Sequence, residues 1–116
     1  METLDLSEAL DATEGDVDLL RDVIAAFFEE VPGLLAEIDS SLQSGDVSSV
    51  RRASHTIKGT LRIFGDVPPR ELARQLEQIA QSGTLVGTDA KRIFVALNTS
   101  LDDFRQRLDR AMQQLE

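Results

Sequence analysis

Apolar residues recur at spacings of three and four along most of this chain, the signature of amphipathic helices. Leu20, Ile24, Phe27, Phe28, Val31, Leu34, Leu35, Ile38 and Leu42 stay in phase over residues 16–43 and predict one long helix. Asp16 is its expected N-cap, and Pro32 is expected to kink it. Ser44, Gly45 and Asp46 read as a helix stop followed by a new N-cap. Val50, Ala53, Ile57, Leu61 and Phe64 then mark a helix over residues 47–64 that ends at Gly65. Residues 66–69 form a tight connection. Leu72, Leu76, Ile79 and Ala80 place a third long helix at 69–81, with Pro69 in its first turn. After a loop at 82–87, Thr88 or Asp89 caps a last helix reaching almost to Glu116, with Ile93, Leu97, Leu101, Phe104, Leu108 and Met112 on one face. A shorter helix is expected at residues 3–10, where Leu4, Leu6 and Leu10 are available to pack, followed by a turn at 13–15. Sustained alternation of apolar and polar residues is absent, so no strand of useful length is expected.

Four substantial helices joined by short loops predict an all-α fold: an antiparallel four-helix bundle with a short extra N-terminal helix. The 116 residues suffice for one core, so residues 1–116 are read as one domain. With five Phe and no Tyr or Trp, that core must be mostly aliphatic, which suits helix-on-helix packing. A bundle that closes on itself is expected to be a monomer. There is no cysteine, which excludes disulfides and thiolate metal sites. No apolar run approaches the ~18 residues a membrane span needs. The acidic start lacks the pattern of a signal peptide, so neither a membrane partner nor export is expected, and a cytoplasmic location follows.

Charge changes the picture further. A formal net charge of −9 argues against nucleic acid as a partner. Yet Arg21 is the sole basic residue of the first fifty, while Arg51, Arg52, Lys58 and Arg62 cluster in a stretch with no acidic residue. The single histidine, His55, lies within that stretch. At about 100° per residue, His55 falls nearly opposite the apolar stripe of its helix and faces outward. Arg51, Arg52, Lys58, Gly59 and Arg62 share its face at offsets of three, four and seven. Gly59 stands in mid-helix, where it costs about 1 kcal/mol relative to alanine. Because Gly59 points toward the histidine side, close packing in the core does not account for it. Side chains lean toward a helix N-terminus, so any side chain at 59 would lean over the imidazole. An imidazole with an unperturbed pKa of about 6.5 is mostly neutral near pH 7 and nucleophilic. A neutral imidazole, an open approach and a nearby ammonium suit the acceptance and return of a phosphoryl group. A solvated charged face with a surface histidine is the other reading the same residues allow.

The stretch His55-Thr56-Ile57-Lys58-Gly59 followed by Gly65 resembles the signature of histidine-containing phosphotransfer (HPt) domains. Residues 27–32, the turn at 44–46 and residues 71–77 are also similar to family segments, so the resemblance covers roughly the whole chain. It implies that His55 is the phosphoryl acceptor, Lys58 its charge partner and Gly59 the residue that keeps access open. A polar residue on the following helix often faces the histidine in this family; the matching position is Glu77, or Gln78 if the register slips by one. The chain departs from the family at Leu61, Arg62 and Ile63, where small residues and an asparagine are common. Leu61 is expected in the core. Arg62 adds charge beside His55. Ile63 is either an exposed contact for a partner or a partly buried core residue. Arg51, Arg52, Arg62 and Ile63 are the expected partner-binding positions.

The resemblance implies a carrier in a two-component phosphorelay. His55 would take a phosphoryl group from a receiver-domain aspartate and pass it to another receiver. No Gly-rich nucleotide loop is present, so a kinase or other enzyme activity is not expected. No cofactor or metal is expected on this chain; Mg²⁺ would belong to the receiver. Two other readings remain: the phosphoacceptor domain of a larger hybrid or chemotaxis-type histidine kinase, and a helical docking module that uses the basic face without phosphoryl chemistry.

Overall fold

The computed structural model describes residues 4–115, and these form five α-helices and one 3₁₀ turn with no strand. α1 (Ser7–Ala12) starts later and ends later than the sequence pattern suggested. Asp5 accepts hydrogen bonds from both the backbone N–H and the hydroxyl of Ser7, which sets the helix start there. Leu6 is buried, while Leu4 and Leu10 are half-buried against the core. The expected start at Thr3 lies outside the described residues. Residues 13–15 turn the chain, with Gly15 at φ 78°.

α2 (Val17–Ser44) runs as one helix through Pro32. The Asp16 carboxylate accepts the Leu19 N–H at 3.0 Å and satisfies one of the free amides of the first turn. Gly45, left-handed at φ 76°, ends the helix, and Asp46 at once caps α3 (Val47–Thr60) by accepting the Ser49 N–H at 3.1 Å.

The expected α-helix to Phe64 is corrected here. The α-helix stops at Thr60, and Leu61–Phe64 tighten into a 3₁₀ turn. At three residues per turn, Leu61 and Phe64 eclipse each other. Both are therefore buried, and Phe64 meets the Phe104 ring edge-on at 5.2 Å. Gly65 is more than a routine stop. It sits at φ 80°, and a β-carbon there would lie 2.6 Å from the Glu8 carboxylate of α1. α4 (Pro68–Gln81) begins one residue before the expected Pro69, after an extended and buried Val67. α5 (Ala90–Gln114) follows Asp89; the Thr88 hydroxyl accepts the Ala90 N–H at 3.3 Å, and the Asp89 side chain makes no capping bond.

Consecutive helices pack on one another, and α5 returns to α2, so the four long helices close a bundle around an aliphatic core. α2 and α5 are about twice as long as α3 and α4. Their overhang produces the 47 Å long axis, and α1 packs at that end against α2 and the 3₁₀ turn. Among the described residues, no helix is long and apolar enough to cross a membrane. The short α3 and α4 share the most extensive helix–helix contact, and their seam carries the one histidine.

Candidate functional site

His55 lies in the middle of α3 with 66% of its side chain exposed, as the helical phase of the sequence requires. Its Nδ1 faces the Glu77 carboxylate of α4 at 3.1 and 3.2 Å. A carboxylate only accepts, so the ring proton of a neutral His55 resides on Nδ1 and the lone pair on Nε2. Nε2 has no hydrogen-bond partner among the described residues. The arrangement presents a solvent-facing nucleophilic nitrogen from a ring whose other nitrogen is tied down.

Glu77 is the organising residue of the site. Only 8% of its side chain is exposed. A buried carboxylate must be compensated, and three donors do this. Lys58 Nζ donates at 3.0 and 3.1 Å, His55 Nδ1 donates as described, and Gln81 Nε2 donates at 3.5 Å. Burial alone would push the Glu77 carboxyl up. The hydrogen bonds from Lys58 and His55, with the charges behind them, outweigh burial and hold it below its usual value, so it is ionised at neutral pH.

The α3–α4 packing makes this pairing possible. Ser54 and Ile57 of α3 and Ala73, Leu76 and Ala80 of α4 are buried, and the small residues among them let the helices approach closely. Gln78, the alternative to Glu77, is exposed and has no hydrogen bond to His55. Lys58, expected as the ammonium beside the ring, stands there bonded to Glu77 and is 27% exposed. Arg52 is also engaged, by Glu37 of α2. Arg51 and Arg62 are exposed and have no ion-pair partner among the described residues. Ile63 is partly buried against the core, the second of its two expected placements. A β-carbon at Gly59 would meet nothing within 4 Å, so the protein's own packing does not demand this mid-helix glycine.

Beside the ring, a shallow concavity of 460 Å³ is lined by Ser48, Arg51, Arg52, His55, Glu77 and Gln81. Ser48 and Gln81 were not anticipated from the sequence. Gln81 lies four residues after Glu77 on the same helix, a spacing that brings side chains together. That signal becomes readable only once Glu77 is known to face the site.

A family model for the Hpt domain matches residues 22–116, nearly the whole chain. The chain belongs to the Hpt family. Hpt domains are phosphotransfer carriers of two-component phosphorelays, and their partners are receiver domains and histidine kinases. No curated protein and no solved structure matches the chain. α1 and the first turn of α2 precede the matched segment, whereas the whole α3–α4 seam lies within it.

Proposed function

We propose that this Hpt domain is a phosphorelay intermediate in which His55 Nε2 takes a phosphoryl group from the aspartyl phosphate of a receiver domain and delivers it to the aspartate of a second receiver. The carrying observation is the His55–Glu77 bond, which fixes the tautomer and leaves Nε2 unbonded and exposed. In the transfer, the Nε2 lone pair bonds to phosphorus while the bond from phosphorus to the aspartate oxygen breaks. The receiver supplies Mg²⁺ and most of the charge stabilisation of the transition state. Lys58 adds positive charge next to the ring. Gly59 keeps the ridge of α3 low where the receiver must approach. Arg51 and Arg62 flank that approach as unpaired cations and complement an acidic partner surface.

The docking-module reading is weakened by the pairing of Lys58 and Arg52, which leaves two of the four expected cations for a purely electrostatic contact. Phosphotransfer from a panel of labelled receivers to the wild-type chain and to His55→Gln tests the proposal. Acid-labile, alkali-stable label on the wild type alone is expected. Equal label on His55→Gln would reject His55 as acceptor. Labelling by a kinase core with ATP, and by no receiver, would make a kinase the donor.

A further inference from the structure

The seam between α2 and α5 lies across the bundle from the His55 seam, because contacts run from α2 to α3, α3 to α4, α4 to α5 and back to α2. α2 and α5 share the least extensive of these four contacts, and a groove of 570 Å³ opens between them. We propose that this groove is a self-association surface: two copies of the chain pack α2 against α2 about a two-fold axis at Ala25, with Arg21 of each copy opposite Glu29 of the other.

The floor of the groove is apolar. Ile24, Phe28 and Met112 line it, and Phe28 is half-buried. Arg105 lies across the Phe28 ring, 5.0 Å from its centroid. An aromatic ring, a methionine and an arginine together match the composition enriched at protein interfaces. The rim carries Arg21 and Arg105 against Glu29 and Asp109, two charges of each sign. On a chain of net charge −9, such a balanced rim decides between partners. A strongly acidic or strongly basic partner would meet two like charges there. A second copy brings the same four charges and can set each against its opposite.

The order of residues along α2 fixes the symmetry. Arg21, Ala25 and Glu29 follow one another at intervals of four and so share one side of the helix. A two-fold axis at Ala25 reverses that order in the second copy, and the Arg21–Glu29 pairing then occurs twice. Ala25 is exposed, and its small side chain lets two helices cross closely at the axis. Arg21 also holds Asp18 at 2.7 Å, an exposed ion pair that is exchanged at little cost. In this arrangement residues 17–33 of the two copies overlap, about 25 Å of helix. With α5 alongside, roughly 1,000 Å² is covered in total, the size of a weak and reversible association. Each bundle closes its own core but leaves this seam open, so the monomer expected from the sequence gives way to a concentration-dependent dimer. Both His55 rings stay exposed, on the outer faces of the pair.

Sedimentation equilibrium of the whole chain tests this, with charge reversal at the two paired positions. The wild type is expected to pass from monomer to dimer below about 1 mM. Arg21→Glu alone sets glutamate against glutamate twice, and Glu29→Arg alone sets arginine against arginine twice. Each should weaken self-association by about tenfold or more. Mixing the two variants should restore association, because Arg21→Glu in one copy then faces Glu29→Arg in the other and the remaining native pair is intact. A wild type that stays monomeric to about 1 mM would overturn the proposal and leave the groove to a different partner. Single variants that associate as tightly as the wild type, or a mixture that associates no better than its components, would overturn it as well. Circular dichroism checks that each variant is folded. Should either reversal fail to fold, Ala25→Glu takes its place: it brings two glutamates together at the axis and must weaken association, and an unchanged dimer rejects the surface.

Discussion

Glu77 stands 22 residues after His55 in the chain, yet its buried carboxylate lies 3.1 Å from the imidazole Nδ1 and 3.0 Å from Lys58 Nζ. One acidic side chain thus joins the exposed histidine to the lysine that follows it by one turn. The site is a four-residue network across two helices, His55, Lys58, Glu77 and Gln81, and not a histidine on an open basic face. Its properties follow from what the carboxylate must satisfy: an ionised group withdrawn from water, kept there by donors whose positions it also dictates.

Gly59→Ala should separate stability from function. The new methyl meets no atom within 4 Å, and alanine is the better helix former by about 1 kcal/mol. Thermal melting should shift upward by about 4 °C. Transfer from a receiver should slow, and Gly59→Leu should slow it further, because each side chain raises the surface of α3 beside the imidazole where the partner docks. Rates equal to wild type in both variants would remove the access role of Gly59.

Lys58→Ala withdraws a principal donor from Glu77. Global stability should fall by about 1–2 kcal/mol, since the carboxylate stays buried with fewer partners. Transfer should slow while the protein remains helical by circular dichroism. Lys58→Arg, which retains charge and donors, should recover more of the rate than Lys58→Met. An alanine variant as fast as wild type would show that the positive charge takes no part in transfer.

Ser54 is fully buried beside His55, and its hydroxyl has no hydrogen-bond partner. Removing an unsatisfied buried hydroxyl is neutral or stabilising, by about 1 kcal/mol at most. Ser54→Ala should therefore melt at or above the wild-type temperature and transfer phosphate normally. Ser54→Leu should do the reverse, since extra volume in a close-packed seam forces the helices apart and Glu77 away from the ring. The separation is measurable as an altered His55 ring resonance. A destabilised Ser54→Ala would mean that the hydroxyl has a partner, such as a buried water.

Stability should also record the Glu77 network through pH. Its carboxyl is held below the ordinary 4.5 in the folded protein. The unfolded chain therefore takes up the proton first as pH falls, and stability contributed by Glu77 is complete above about pH 4.5 and lost as pH drops through the folded value. Glu71 adds to the same acid slope, because hydrogen bonds from Arg74 and Gln75 hold it near about 2. Urea unfolding of wild type and Glu77→Gln between pH 7 and pH 3 should give a shallower acid loss for the variant, with the Glu71 part retained. Parallel curves would show that Glu77 is not preferentially ionised in the folded state.

The sequence by itself determined whatever depends on one helix at a time. Spacing of apolar residues placed the long helices, and Asp16, Gly45 and Asp46 marked their ends, because caps and stops act within one turn. The same phase argument set His55 and Gly59 outward and Ile57 and Leu61 inward. Tertiary structure decided everything that needs the offset between two helices. A shift of one residue rotates a side chain by about 100°, so only the packing of α4 on α3 could choose Glu77 over Gln78, bind Lys58 to that carboxylate and turn Arg52 toward Glu37. The 3₁₀ turn at Leu61–Phe64 belongs to the same class, since it puts Leu61 and Phe64 together in the core and Phe64 against Phe104. Periodicity measures an angle around one axis; the meeting of two side chains also depends on how far one axis slides and turns against the other, and close packing of the core sets that.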